Sequence, residues 1–220
     1  MKNNKRDSFI SLKYWLSDFI RLNGGIKYKL FYRPKVYFED GATLNIKGKM
    51  IITSNHNDPV EPPTIYTLFL KRRLFFVAAK ELVNSKKQNW FYKRMNCTLI
   101  DRDNTTLKDI KTLINHLDHE RLLVIFPEGA MSEDGSNLPF KSGVGMISLF
   151  ANAPILPLYI QKGKNGNKKI YVCVGKYFYP TDITDGKKTK QNIEYITRYL
   201  EEITFEMKRK LNDNYYENNN

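Results

Sequence analysis

Two hydrophobic periods divide the chain. Over residues 8–22, SFISLKYWLSDFIRL, apolar side chains recur with helical spacing. At 100° per residue, Phe9, Leu12, Trp15, Leu16, Phe19, Ile20 and Leu22 fall on one arc of roughly 160°. Ser11, Tyr14, Ser17, Asp18 and Arg21 lie opposite, with Lys13 at the border. Asn23-Gly24-Gly25 reads as a stop for this helix, and the following IKYKLFY mixes lysines with large apolar residues before Pro34. Two settings suit such a segment: a lipid interface that takes up the apolar arc, or packing of that arc on the protein's own domain.

From residue 35 the period changes. KVYFED (35–40) and TLNIKG (43–48) read as strands around a Gly41 turn, and MIITSN (50–55) as a short apolar strand. RLFFVAAK (73–80), CTLIDR (97–102), RLLVIFPEG (121–129), ILPLYI (155–160) and KIYVCVG (169–175) continue the series. Helical stripes fall between them. Leu107, Ile110, Leu113, Ile114 and Leu117 make one over residues 105–119, opened by a Thr106/Asp109 capping box. GVGMISLFAN (143–152) and residues 189–211 supply two more. This alternation predicts an α/β fold: a single domain with a mostly parallel or mixed sheet flanked by helices, preceded by N-terminal amphipathic helices. The expected boundaries are 1–34 for those helices, 35–211 for the α/β domain and 212–220 for a disordered tail.

Composition narrows the setting. Lys and Arg number 36 against 23 Asp and Glu, a net charge of +13, which favours nucleic acid, an anionic membrane surface or phosphorylated substrates. No zinc spacing, aromatic RNA-binding string or helix-turn-helix is evident, so nucleic acid is not expected. Cys97 and Cys173 lie far apart, which suits a reducing compartment. Lys13 and Asp18 interrupt any signal-peptide core, and no run approaches the ~18 apolar residues of a spanning helix. The expectation from these features is a cytosolic protein that does not span a membrane. His116 and His119 sit outside the apolar stripe of their helix and read as a solvated face rather than metal ligands. Glu133 and Asp134 read as a turn.

Three polar loops follow apolar strands: residues 55–61, 101–104 and 127–135. In open α/β sheets such loops converge at the carboxyl ends of the strands. The first lies in SNHNDPVEPP, where Asn55 and His56 precede Asp58 and Glu61 among three prolines. A carboxylate there can orient the imidazole and stabilise the imidazolium that forms once histidine takes a proton. Glu61 is the expected partner and Asp58 an alternative at shorter spacing. No nucleophile of the protein's own stands out, so a substrate hydroxyl would attack. In FPEG, Phe126, Pro127, Glu128 and Gly129, a carboxylate and a glycine at a strand exit could hold a polar head group. Arg102 could bind phosphate, and Lys141 in PFKSG could add charge.

The ordered set of motifs resembles the glycerolipid acyltransferases typified by 1-acylglycerol-3-phosphate acyltransferase. The counterparts are Asn55-His56 to Glu61-Pro62, Ile100-Asp101-Arg102, Phe126 to Ser132, Phe140-Lys141-Ser142-Gly143 and Leu156-Pro157-Leu158. The resemblance implies that His56 is the general base, oriented by Glu61. Asn55, Asp58, Arg102, Phe126, Pro127, Glu128, Gly129 and Lys141 would line the substrate site. It also implies a lysophospholipid acceptor, acyl-CoA or acyl-carrier protein as co-substrate, an anionic membrane surface as partner, and no metal or redox cofactor. Two positions depart from the family pattern: Glu61 replaces an aspartate, and Ala130-Met131 replaces a Thr-Arg pair. Methionine cannot supply the charge of a phosphate-binding arginine. The implied alternatives are a different lysolipid acceptor or an inactive lipid-binding relative.

Overall fold

The computed structural model describes residues 10–131, 138–163 and 169–213. Seven strands form one mixed sheet: β1 (Lys35–Phe38), β2 (Met50–Ser54), β3 (Leu74–Ala79), β4 (Cys97–Ile100), β5 (Leu122–Ile125), β6 (Ile155–Lys162) and β7 (Ile170–Val174). Their order is β1-β7-β6-β2-β5-β3-β4. The five strands from β6 to β4 are parallel, whereas β7 runs antiparallel to β6 and β1 parallel to β7. β2, β5 and β7 are buried along their whole length, as continuous apolar runs at the centre of a covered sheet require.

The helices are α1 (Trp15–Phe19), α2 (Gly25–Tyr32), α3 (Glu61–Leu68), α4 (Lys86–Arg94), α5 (Leu107–Asp118), α6 (Gly143–Ala151), α7 (Pro180–Ile183) and α8 (Lys190–Leu211). α2 and α3 pack over one core cluster, built on Ile52, Leu74, Val124 and Leu156. Residues of α5, α6 and α8 enclose a second one, around Ile51, Leu113, Leu123 and Ile155. The Thr106/Asp109 capping box opens α5 as expected.

The structure corrects several expectations. Residues 43–48 form no strand; Ile46 plugs the core instead, and β1 takes β7 as its partner. Asn23-Gly24-Gly25 does not stop the first helix. A π turn over Ile20–Gly24 carries it into α2, and Gly25 packs so tightly that a Cβ there would lie 2.9 Å from Leu70. Glycine serves here as a contact point rather than a breaker. Pro62 and Pro63 do not stiffen a loop but occupy the first turn of α3, where proline's missing N–H is harmless. α3, α4 and α7 were not anticipated. His116 is half-buried rather than on an open face, unlike the exposed His119: its ring lies 4.9 Å from that of Phe75, and its nitrogens meet Thr98 Oγ1 at 3.1 Å and Arg121 Nη1 at 3.0 Å. Glu133, Asp134, residues 1–9 and residues 214–220 of the tail lie outside the described residues.

The N-terminal segment is inverted relative to an ordinary amphipathic helix. Its polar side is buried: Ser17, Asp18 and Arg21 are at most 2% exposed. Asp18 binds Arg21 Nη2 at 3.1 Å and receives Arg73 Nε at 2.9 Å and Nη2 at 2.7 Å. Tyr14 covers this cluster beneath the Arg73 guanidinium. The apolar arc faces outward, with Leu12 93%, Phe19 59% and Trp15 50% exposed. Ile26, Leu30 and Phe31 of α2 are also exposed. Packing of the apolar arc on the domain is thereby excluded for these residues.

Candidate active site

The site is built at the carboxyl ends of the parallel strands. β2 ends at Ser54, and Asn55 is fixed immediately beyond it by a two-way bond to β6. Asn55 Nδ2 donates to Ile160 O at 2.9 Å, and Ile160 N donates to Asn55 Oδ1 at 2.8 Å. The same Nδ2 donates to Glu61 Oε1 at 3.0 Å. Asn55 thus ties the loop to the sheet and the carboxylate to the loop.

Glu61 is the first residue of α3 and is fully buried. Its Oε1 also accepts the backbone N–H groups of Asn57 at 2.9 Å and Asp58 at 3.1 Å. Its Oε2 meets His56 Nδ1 at 2.8 Å. Burial raises the Glu61 pKa above the ordinary carboxylate range, opposed by the His56 hydrogen bond and the two backbone donors. Glutamate, one methylene longer than aspartate, therefore spans the required distance. Asp58 does not contact His56: it accepts Val60 N at 3.0 Å and lies 3.9 Å from Lys162 Nζ.

The imidazole stacks on Phe126, with centroids 4.1 Å apart and planes 19° apart. Phe126 leaves β5, the parallel neighbour of β2, so adjacent strands supply the imidazole and the ring it stacks on. Two residues on, Glu128 is only 3% exposed and its Oε1 accepts the His56 N–H at 3.4 Å. Its Oε2 is buried without a hydrogen-bond partner among the described residues, and burial raises this pKa as well.

Gly129 adopts φ +73°, and a Cβ there would lie 3.1 Å from the Lys141 side chain. The glycine lets Lys141 lie across the loop, while Lys141 N donates to Pro127 O at 2.8 Å. From the other side Arg102, just beyond β4, donates through Nη1 to Gly129 O at 2.8 Å and pairs with Glu81 at 3.5 Å. The structure thus gathers Asn55, His56, Glu61, Phe126, Pro127, Glu128, Gly129, Arg102 and Lys141 into one cluster, with Asp58 at its margin. Met131 is 47% exposed at the end of the same loop, and Ser132 lies outside the described residues.

The exit of β3, between those of β5 and β4, went unnoticed in the sequence. It carries Glu81 and Lys80; the pKa values of Asp101 and Asp109 are lowered chiefly by hydrogen bonds within their own turns, and Lys80 adds a smaller pull in the same direction. Two charged residues directly after an apolar run were the available signal. Lys162, the last residue of β6, was missed for the same reason.

The chain is similar to known proteins. Residues 34–161 match the family model described as Acyltransferase. The 1-acyl-sn-glycerol-3-phosphate acyltransferase of Bacillus subtilis is 25% identical over 87% of this chain and 92% of its own length. The protein of the same name from Limnanthes alba is 30% identical over 74% of this chain, which spans 59% of that longer protein. A crystal structure of the 1-acyl-sn-glycerophosphate acyltransferase PlsC from Thermotoga maritima superposes with a TM-score of 0.64 at 21% identity, covering 90% of this chain and 80% of the other, and so shares its fold. With the family model covering more than half of its residues, the chain belongs to the acyltransferase family, among relatives of the lysophosphatidic acid acyltransferase type.

Proposed function

We propose that this acyltransferase moves a fatty acyl group from a thioester, acyl-CoA or acyl-carrier protein, to a hydroxyl of a lysophospholipid in phospholipid biosynthesis. The foremost acceptor is 1-acylglycerol-3-phosphate, giving phosphatidic acid. The observation that carries this reading is the 2.8 Å contact between His56 Nδ1 and Glu61 Oε2, beside the Gly129 loop that Arg102 and Lys141 flank. An ionised Glu61 accepts from Nδ1–H, which leaves the lone pair on Nε2. That nitrogen takes the proton of the acceptor hydroxyl as its oxygen attacks the thioester carbonyl. The carbon–sulfur bond then breaks, and the proton passes from Nε2 to the departing thiolate. Glu61 stabilises the imidazolium between these steps, and the Phe126 ring keeps it in plane. The reading calls for no metal or redox cofactor.

Arg102 and Lys141, on either side of Gly129, offer charge to an acceptor phosphate where Met131 cannot. The exposed apolar arc of α1 and α2, with the basic composition, supports peripheral binding to an anionic bilayer, on its cytoplasmic face as the widely spaced cysteines suit, in which lysolipid acceptors reside. No helix among the described residues is long and apolar enough to cross a membrane.

The test is thiol release from an acyl thioester on liposomes with a panel of lysolipids, alongside His56→Ala. Release that needs lysophosphatidic acid and vanishes in the variant is expected. Release with another lysolipid alone would reassign the head group, and absence of His56-dependent turnover with any donor would leave a lipid-binding protein without this chemistry.

A further inference from the structure

α4 rests against β4 along one side but buries none of its own nine residues. A helix of that length is marginal in water on its own. Ser85 caps it, accepting Gln88 N at 3.2 Å, while Gln88 Oε1 accepts Asn84 N at 2.8 Å. Yet it displays two large aromatic rings: Trp90 is 51% and Phe91 44% exposed, with Leu82 53% exposed just upstream. Residues 82–96 contain Lys86, Lys87, Lys93 and Arg94 and no acidic residue. Helical spacing puts Lys86 and Arg94 one turn to either side of Trp90, and Lys87 and Arg94 to either side of Phe91. The Arg94 guanidinium lies 5.8 Å from the centre of the Trp90 ring.

Aromatic rings exposed between basic side chains, without a compensating carboxylate, fit the boundary between lipid head groups and acyl chains. There the rings leave water while the cations reach anionic head groups. The position fits too. Directly after α4, Asn96 Nδ2 donates to Ser17 Oγ at 3.0 Å, which joins this end of the helix to the inverted N-terminal segment. Tyr66 of α3 donates to Met95 O at 3.4 Å.

We infer that α4 is a second bilayer contact, separate from α1 and α2, which seats Trp90 and Phe91 in an anionic lipid surface. The inference rests on the reading that this enzyme works at a bilayer. A second contact restricts how the sheet can tilt on the surface and so how its loops meet a lipid acceptor. An acidic acyl-carrier protein is the competing occupant; the paired aromatic rings favour lipid.

The chain has two tryptophans, Trp15 in α1 and Trp90 in α4, so each contact carries its own reporter. Trp15→Phe and Trp90→Phe are titrated with vesicles of phosphatidylglycerol and phosphatidylcholine, with and without brominated acyl chains. We expect the emission of Trp90, alone in Trp15→Phe, to shift to the blue and to be quenched by bromine. Quenching of Trp15 but not of Trp90 would overturn the inference and leave the N-terminal contact standing; quenching of neither would overturn both. A Trp90 response to acyl-carrier protein in place of vesicles would overturn it in favour of carrier docking. A Trp90→Ser/Phe91→Ser double variant should partition onto these vesicles at least about tenfold more weakly. Its melting temperature without lipid should match the parent, since neither ring is buried. Unchanged partition would equally overturn the inference.

Discussion

Asp18 and Glu61 are both buried carboxylates, and their surroundings show what each is for. Asp18, in the N-terminal segment, is held by two guanidinium groups, Arg21 and Arg73. Arginine keeps its charge throughout the working pH range, so no proton can move there and the cluster can only hold structure. Glu61, at the end of the sheet, has no arginine or lysine paired to it among the described residues. It is held by two backbone N–H groups, the Asn55 amide and an imidazole. The one partner able to carry its countercharge is the group whose proton can be exchanged. Permanent compensation marks the structural carboxylate, and titratable compensation marks the one suited to chemistry.

The sharpest way to break this contrast is Glu61→Gln. The amide oxygen can still accept from Asn55, Asn57 and Asp58, so the loop should survive. The amide nitrogen, however, donates to His56 Nδ1 and drives the ring proton to Nε2, where the base must be empty. By analogy with tautomer-inverting substitutions in other dyads, kcat should fall about 10³–10⁴-fold with little change in melting temperature. Full activity would remove His56 from the role of base.

Asp18→Asn should do the reverse. Losing the carboxylate leaves two buried guanidinium groups without their countercharge, at a cost of about 3–5 kcal/mol of stability. Chemical denaturation should show that loss, while turnover of a water-soluble acceptor by the protein that remains folded should stay near the parent rate. A catalytic defect as large as that of Glu61→Gln would mean that the two clusters are coupled.

The difference between the two regions also governs what could be read from the sequence. Strands β2 to β7 announce themselves as apolar runs, and the site residues follow closely after three of them, β2, β4 and β5. Periodicity finds the N-terminal helix but not its orientation. An apolar arc points inward only where the domain offers it apolar surface, and here Arg73 and Asn96 offer charge and hydrogen bonds instead. Helix α3 was hidden because its prolines signal a loop unless they fall in a first turn. Helix α4 was hidden because it has no buried face to produce a period. At the site, the motifs indicated His56 with Glu61 as its partner and Asp58 as an alternative. What the sequence could not show is how Glu61 is held: the Asn55 amide and the backbone N–H groups of Asn57 and Asp58 all meet at Oε1.

Gly129→Ala tests the cationic side of the cluster without touching the dyad. A left-handed φ costs a non-glycine residue roughly 1–2 kcal/mol, and the new methyl would press on the flexible end of Lys141. Stability should fall by about that amount. The acceptor KM should rise more than kcat falls, because Lys141 and the Arg102 contact at Gly129 O shift while His56 and Glu61 stay in place. A fall in kcat alone would place this loop with the reacting groups instead.

The smallest expected effect lies in the pH dependence of stability, where Glu61 should leave a signature that the Asp18 pair does not explain. Burial raises the pKa of Glu61 in the folded protein above its unfolded value. Between those two values the folded state binds more protons than the unfolded state, so stability falls as pH rises. The favourable contribution is complete below the ordinary carboxylate pKa and is lost as pH passes the folded one. Glu128, raised by burial in the same way, adds a slope of the same sign. Urea denaturation of parent and Glu61→Gln across mildly acidic to neutral pH should therefore give two curves that draw apart. The variant gains relative stability as pH rises, because a neutral amide escapes the cost of a buried ionised carboxyl. Curves that stay parallel would mean that hydrogen bonding to the carboxylate fully offsets its desolvation, and Glu61 would then be a fixed structural carboxylate rather than a poised one.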